Sequence, residues 1–93
     1  MPDIDITHNE QAHRYELRLD GELVCIADYT PSGGRFVFDH TETLPAFRGR
    51  GLAAKLVAAA LEDVRQRKIG VVPSCWFVAE FIDENPEFSE LVS

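Results

Sequence analysis

This chain is poor in cysteine, tryptophan, methionine and basic residues, and each shortage closes off a class of protein. Its two cysteines, Cys25 and Cys75, stand far apart in 93 residues with none of the spacing of a disulfide framework. Reduced thiols are expected, and one bridge would form only if the fold brought the two together. Three histidines, His8, His13 and His40, show no close metal-ligand spacing with each other or with the cysteines, so no metal is expected. No apolar run approaches the roughly 18 residues of a membrane span, and no basic leader precedes an apolar stretch. The expectation is a cytoplasmic protein with no membrane partner. Neither G-x-x-x-x-G-K-[ST] nor G-x-G-x-x-G occurs, which excludes a P-loop NTPase and argues against a dinucleotide fold. Internal repeats, linkers and low-complexity segments are missing too, and the length suits one domain, 1–93, with a single core.

What basic charge there is lies in one place. The chain has 9 basic and 16 acidic residues, yet six of the basic ones (Arg48, Arg50, Lys55, Arg65, Arg67 and Lys68) fall within residues 48–68 beside only Glu62 and Asp63. An acidic protein with one basic patch suits a compact polyanion, because the backbone of a long nucleic acid would be repelled elsewhere on the surface. No nucleic-acid partner is expected. Arg65, Arg67 and Lys68 read as ordinary cations complementing the C-terminal end of a helix dipole, whereas Arg48 and Arg50 flank two glycines and read as anion ligands.

Hydrophobic periodicity divides the chain near Pro45. Before it, Ile4 and Ile6, then Tyr15, Leu17 and Leu19, alternate with polar neighbours, and Asp20-Gly21 is a hairpin signal. Residues 23–29 read as the return strand and Pro31-Ser32-Gly33-Gly34 as a second turn. A strand over 35–41 follows, with Phe36, Phe38 and His40 on one face. After Pro45, Leu52, Leu56, Ala60 and Val64 repeat at helical spacing, giving an amphipathic helix to about Lys68, stopped by Gly70. Val71-Val72 can be only a short strand, and the helix before it is a crossover long enough for parallel pairing with 35–41. A second helix is expected over 78–84, ended by Asn85-Pro86. The fold class is therefore α+β, a mostly antiparallel sheet of four or five strands with one main crossover helix and a short C-terminal helix.

The run Arg48-Gly49-Arg50-Gly51-Leu52-Ala53 sits where the strands end and the helix begins. Glycine lets backbone N–H groups approach an anion closely, and the first helical turn offers unpaired donors at a positive dipole end. A phosphorylated ligand is expected here. In this context Phe47-Arg48-Gly49-Arg50-Gly51-Leu52-Ala53, followed by Lys55-Leu56-Val57, resembles the acetyl-CoA-binding motif [QR]-x-x-G-x-[GA] of the GNAT superfamily of N-acetyltransferases. His40-Thr41-Glu42, the stretch Val71-Val72-Pro73-Ser74-Cys75, and Asn85-Pro86-Glu87-Phe88 with Leu91-Val92 extend the resemblance to the small, single-domain YjdJ-type branch, over residues 10–92.

The resemblance implies acetyl-CoA as the cofactor, with its pyrophosphate on the loop amides; Leu44, Phe47, Arg48, Gly49, Arg50, Gly51, Leu52 and Ala53 are the candidate binding residues. It also implies a pantetheine arm lying where two parallel strands splay apart, residues 35–41 and 71–74 here. The implied activity is direct acyl transfer to a small-molecule or peptide amine. Glu42 is the first candidate for general base, directly or through water, against a plain surface carboxylate. An imidazole suits proton transfer and makes His40 a candidate, but its place on the Phe36 and Phe38 face reads first as a hydrogen-bonded core histidine. Cys75, ahead of a helix, is a candidate acyl carrier or a pocket-lining residue; Cys25 reads as a small core residue. Many members of the superfamily use a tyrosine on the helix after the last strand as general acid. This chain has Phe81 and Phe88 there, and its only tyrosines are Tyr15 and Tyr29.

Trp76, Phe77 and Phe81 read as core aromatics, with an exposed Trp76 bordering a substrate entrance or a dimer surface as the other reading. There is no room for the extra helices that shape the acceptor site in larger members. The acceptor is then small, exposed on a partner, or bound across a homodimer interface. A non-catalytic CoA or acyl-CoA binding module and a cofactor-free adaptor are the rival readings.

Overall fold

The computed structural model describes residues 3–93. Five strands, β1 (Ile4–Asn9), β2 (Arg14–Leu19), β3 (Glu22–Ser32), β4 (Arg35–Thr43) and β5 (Gly70–Pro73), form one sheet in chain order. The first three pairings are antiparallel, and β4 with β5 is parallel. Helix α1 (Leu52–Arg67) makes the crossover, α2 (Trp76–Glu84) follows β5, and short 3-10 turns lie at Pro45–Phe47 and Pro86–Leu91. The expected α+β architecture is the one observed.

Turn chemistry accounts for the meander. Asp20 and Gly21 both take positive φ, as do Gly33 and Gly34, so both hairpins close through two-residue turns whose twist matches the flanking strands. Pro31 and Ser32 therefore belong to β3, not to the turn, and β3 is longer than the sequence suggested. Helix α1 ends at Arg67, three residues before Gly70: Lys68 adopts the left-handed conformation (φ 58°) and its N–H reaches the Arg65 and Val64 carbonyls. Gly70 has a different task, since a Cβ there would lie 2.6 Å from Ser93 Oγ. Next to it, Ser93 N–H donates to the Val71 carbonyl along the outer edge of β5. Helix α2 begins at Trp76, two residues earlier than expected.

One face of the sheet carries the core. Leu56, Val57, Ala60, Leu61 and Val64 of α1 are buried against Tyr15, Leu17, Cys25, Ala27, Phe38 and Val71, with Val78, Ile82 and Phe88 closing one end. Cys25 is a core residue as expected, and burial pushes its thiol pKa up. Both cysteines are free. None of the described helices is long and apolar enough to cross a membrane.

A bulge in β4 decides where the polar residues go. The register runs Tyr29 opposite Phe38 and then Asp28 opposite His40, which leaves Asp39 unpaired. One extra residue exchanges the two faces of a strand. Phe36 and Phe38 face α1, but beyond the bulge Thr41 and Thr43 take that side, and His40 and Glu42 turn to the open face. The expectation that His40 shares a face with Phe36 and Phe38 is corrected on this ground. Glu42 likewise lies within β4, not beyond it.

The far end of α1 is fastened by a polar network. Tyr15 Oη donates to Asp63 Oδ2 at 2.7 Å, and Arg67 Nε donates to the same oxygen at 2.8 Å. His8 stacks on Tyr15 with ring centroids 4.2 Å apart, and its Nε2 lies 2.6 Å from Tyr29 Oη. Burial raises the pKa of both the Tyr15 and the Tyr29 hydroxyl, and the bond to Asp63 pushes Tyr15 well above the usual phenol range.

Candidate functional site

The segment from Leu44 to Ala54 is built to leave its amides free. The Phe47 and Arg48 N–H groups are used by the 3-10 turn, donating to the Leu44 and Pro45 carbonyls. Gly49 and Gly51 then adopt left-handed φ of 80° and 74°. The first bond of α1 is Lys55 N–H to the Gly51 carbonyl at 3.2 Å, so the amides of residues 52–54 have no intrahelical acceptor. No backbone bond engages those of residues 49–51 either. The helix has no side-chain cap and no acidic residue in its first turn. A Cβ placed on Gly49 or Gly51 would meet nothing within 4 Å, so the loop's surface opens on empty space. This arrangement fits an anion: free donors, the positive end of a 16-residue helix, and no competing carboxylate.

The two arginines divide the work of shaping the loop. Arg48 Nε donates to the Thr43 carbonyl at 3.2 Å, tying the loop to the end of β4. Arg50 lies over the Phe47 ring at 5.2 Å, a cation–π contact that holds its guanidinium beside the turn. Both remain exposed, and among the described residues neither has an acidic partner. Arg65 and Arg67, by contrast, sit roughly 20 Å along the helix. They pair with Glu62 and Glu90, and with Asp63 and Glu10, respectively. The basic segment seen in the sequence is thus two separate things, and only its first half serves the loop.

A groove runs from the loop between β4 and α2. Pairing of β4 with β5 ends at Phe38 opposite Pro73, and Cys75 N–H takes the Phe38 carbonyl at 2.8 Å. From Asp39 on, no described strand pairs with β4 on that side. The resulting groove has a volume of about 470 Å³: His40, Thr41, Glu42 and Thr43 form one wall, Trp76 and Phe77 the other, with Arg48 and Ala53 at the loop end. It adjoins a pocket of about 230 Å³ over Gly49, Gly51 and Leu52.

A family model described as GCN5-related N-acetyl-transferase matches residues 14–91. The chain belongs to that family. It is 34% identical over 87 residues to Protein NATD1 of Mus musculus, covering 89% of this chain and 77% of that one. Protein NATD1 of Homo sapiens is 33% identical over 87 residues (89% and 75%), and that of Danio rerio 30% over 86 residues (87% and 76%). Membership in the N-acetyltransferase family makes acyl transfer the coarse class of chemistry.

The structure brings most of the sequence candidates together around the loop and the groove. Phe47, Arg48, Gly49, Arg50 and Gly51 form the loop, Ala53 reaches the groove, and Leu52 is buried beneath it as the first helical anchor. Leu44 is exposed, its N–H spent on the Val24 carbonyl. His40 and Glu42 lie on the groove wall, with His40 Nε2 3.1 Å from Glu42 Oε1. Cys75 is half-buried; its Sγ is 3.7 Å from Thr41 Oγ1 on the core side of β4. Sequence reasoning did not single out Thr41 and Thr43 as groove residues, because the bulge that turns both toward α1 has no periodic signature; Phe77 packs against the core as expected and also lines the groove. Trp76 is 73% exposed, which settles its reading against core packing. The two tyrosines belong to the aromatic stack at the other end of the core, away from the groove.

Proposed function

We propose that this chain binds acetyl-CoA through the diphosphate and transfers the acetyl group to an amine. The observation that carries this reading is the run of unengaged N–H groups over residues 49–54, opening into the gap where β4 parts from β5. Acetyl-CoA supplies an activated acetyl thioester and departs as the thiol. The loop amides grip the diphosphate, with Arg48 and Arg50 adding charge-assisted contacts. The β4 backbone past Phe38, free of β5, offers hydrogen bonds to an amide-bearing arm laid in the groove. Glu42 takes a proton from the acceptor directly or through one water, and His40 relays it to solvent. Holding both reactants in line supplies much of the rate, up to about 7–11 kcal/mol at the extreme.

Cys75 favours direct transfer over a thiol relay, since its Sγ is directed at Thr41 on the core side of β4. A Cys75→Ala variant should keep turning over; loss of all transfer in a variant that still binds CoA would put the acetyl group on the thiol. The placement of both tyrosines in the core also supports a second reading, a CoA or acyl-CoA binding module without catalysis. The test is a melt with CoA followed by turnover against an amine panel. CoA at a hundred times its Kd should stabilise the fold by about 2.7 kcal/mol. No shift overturns CoA binding, while a shift with no acetylation of any amine supports the binding module.

A further inference from the structure

Strand β1 is the outer edge of the sheet, and among the described residues no strand pairs with its far side. Its ladder to β2 starts with Asp20 N–H on the Asp3 carbonyl and keeps one register, so residues 5, 7 and 9 spend their backbone groups on β2. Alternation turns the N–H and C=O of Ile4, Ile6 and His8 outward. The side chains of these same three residues lie on the α1 side of the sheet, across from Leu19, Leu17 and Tyr15.

Between β1 and α1 lies a crevice of about 190 Å³, lined by Ile6, Thr7, His8, Tyr15, Ala59 and Asp63. The His8 side chain is nine-tenths buried; its Nε2 meets Tyr29 Oη, while Nδ1 has no hydrogen bond. Asp63 Oδ2 stands 3.6 Å from Nδ1, too far to bond it, and is taken by Tyr15 and Arg67. Asp63 Oδ1 has no partner among the described residues. A carboxylate so placed favours the tautomer with the proton on Nδ1, leaving Nε2 to accept from Tyr29. The crevice therefore sets one unpaired donor beside one unpaired acceptor, next to the apolar surface of Ile6 and Ala59.

We propose that the outer edge of β1 docks an extended peptide segment, which adds a strand to the sheet and turns a glutamine side chain into the crevice. On an added strand, the residues bonded to Ile4, Ile6 and His8 share their face, so main-chain pairing and crevice filling select the same positions. Glutamine brings two methylenes for the apolar surface, a carbonyl for Nδ1–H and an NH2 for Asp63. Leucine would leave Nδ1–H buried and unpaired, and glutamate would set a second carboxylate against Asp63. Lysine would offer no acceptor and would meet Arg67, already bonded to Asp63 at 2.8 Å. A second copy of this chain fits poorly, since its own β1 would present isoleucine at two of its three inward positions. Two strands lie between β1 and the groove wall on β4, and the site stands apart from the acyl-transfer reading.

The test is an NMR titration of isotope-labelled protein with the blocked pentapeptide valine–threonine–glutamine–threonine–valine, followed by amide exchange. Saturable shifts should centre on β1 and the His8 ring. Exchange at the Ile4, Ile6 and His8 amides should slow about tenfold in the complex, while residues 5, 7 and 9 change little. Replacing the central glutamine by glutamate or leucine should weaken binding about tenfold, and this change, made in the peptide, needs no variant to fold. Ala59→Leu, which fills the crevice from the helix side, should remove binding. No saturable shift with any of these peptides would leave the crevice to water and overturn the proposal. Equal binding of the glutamine, glutamate and leucine peptides would overturn it too. So would β1 protection that rises with protein concentration without peptide, which would give the edge to a second copy.

Discussion

At its C-terminal end α1 is closed off: Lys68 caps the last carbonyls in a left-handed turn, and Asp63, Arg65 and Arg67 are each bonded to another element of the fold. At its N-terminal end the same helix has no side-chain cap, no acidic residue, and the free amides of the glycine loop. With Gly51 at the N-cap, the bare helix start forgoes roughly 0.3 kcal/mol relative to a serine or aspartate cap. An Asp at position 51 would also place a negative charge where an anion is wanted. On the proposed reading one end of α1 serves stability and the other recognition, and that division can be tested by asking whether the two can be damaged separately.

The largest expected effect falls on the bare end. Reversing both charges, Arg48→Glu with Arg50→Glu, should weaken CoA binding by about 100-fold, the loss of two charge-assisted contacts. The Arg48 bond to Thr43 and the Arg50 contact with Phe47 are both exposed, so the melting temperature should fall far less than the affinity does. Calorimetric titration beside a thermal melt checks both halves, and a variant that melts early yet binds normally would break the division. Asp63→Ala is the mirror experiment. It strips the bonding partner from the buried Tyr15 hydroxyl and from Arg67, which should cost about 2 kcal/mol and lower the melting temperature by roughly 10 °C. CoA affinity should stay the same. Asp63→Asn keeps an acceptor for Tyr15 and should cost less.

Gly51→Ala sharpens the comparison, because the added methyl meets no protein atom. Its penalty is conformational only: a left-handed φ of 74° in a non-glycine residue costs about 1 kcal/mol. The methyl also projects into the space an anion would fill, so CoA affinity should fall by more than stability does. Gly51→Asn, which tolerates this conformation better, should recover stability but not affinity. Denaturant midpoints and titrations on the two variants separate the effects.

How much of this was legible beforehand depended on the range of the interaction. The loop, α1 and the Asp20-Gly21 hairpin were readable because each rests on residues within a turn or two of one another. Asp39 was not, since a single unpaired residue leaves the alternation of its neighbours intact while reversing which side they face. That one residue moved His40 out of the core and Thr41 into it. The Tyr15–Asp63 bond joins positions 48 apart, and nothing local marks Asp63 as different from an exposed helical carboxylate. Arg65 and Arg67 were separable from Arg48 and Arg50 as helix-end cations, but their partners Glu90, Glu10 and Asp63 were not. Charge counting finds composition, while pairing is a property of the fold.

The smallest predicted effect is a pH dependence that belongs to the closed end alone. Burial holds the His8 pKa below its usual value, with the nearby Arg67 guanidinium acting in the same direction; Asp63 and Glu10 oppose them and His13 adds slightly. The ring is wedged against Tyr15, Tyr29 and Phe36, so the neutral form is the one that fits. In the unfolded chain the imidazole returns to about 6.5. As pH falls through that value, the unfolded state takes up a proton that the native state refuses, and stability declines until the native pKa is passed. Urea midpoints at pH 7.5 and 5.5 should therefore show a larger loss for the natural chain than for His8→Gln, whose other titrating groups are shared. Equal losses would mean that His8 titrates alike in both states. The difference should be read as a slope, because Gln also loses the stacking on Tyr15 at every pH.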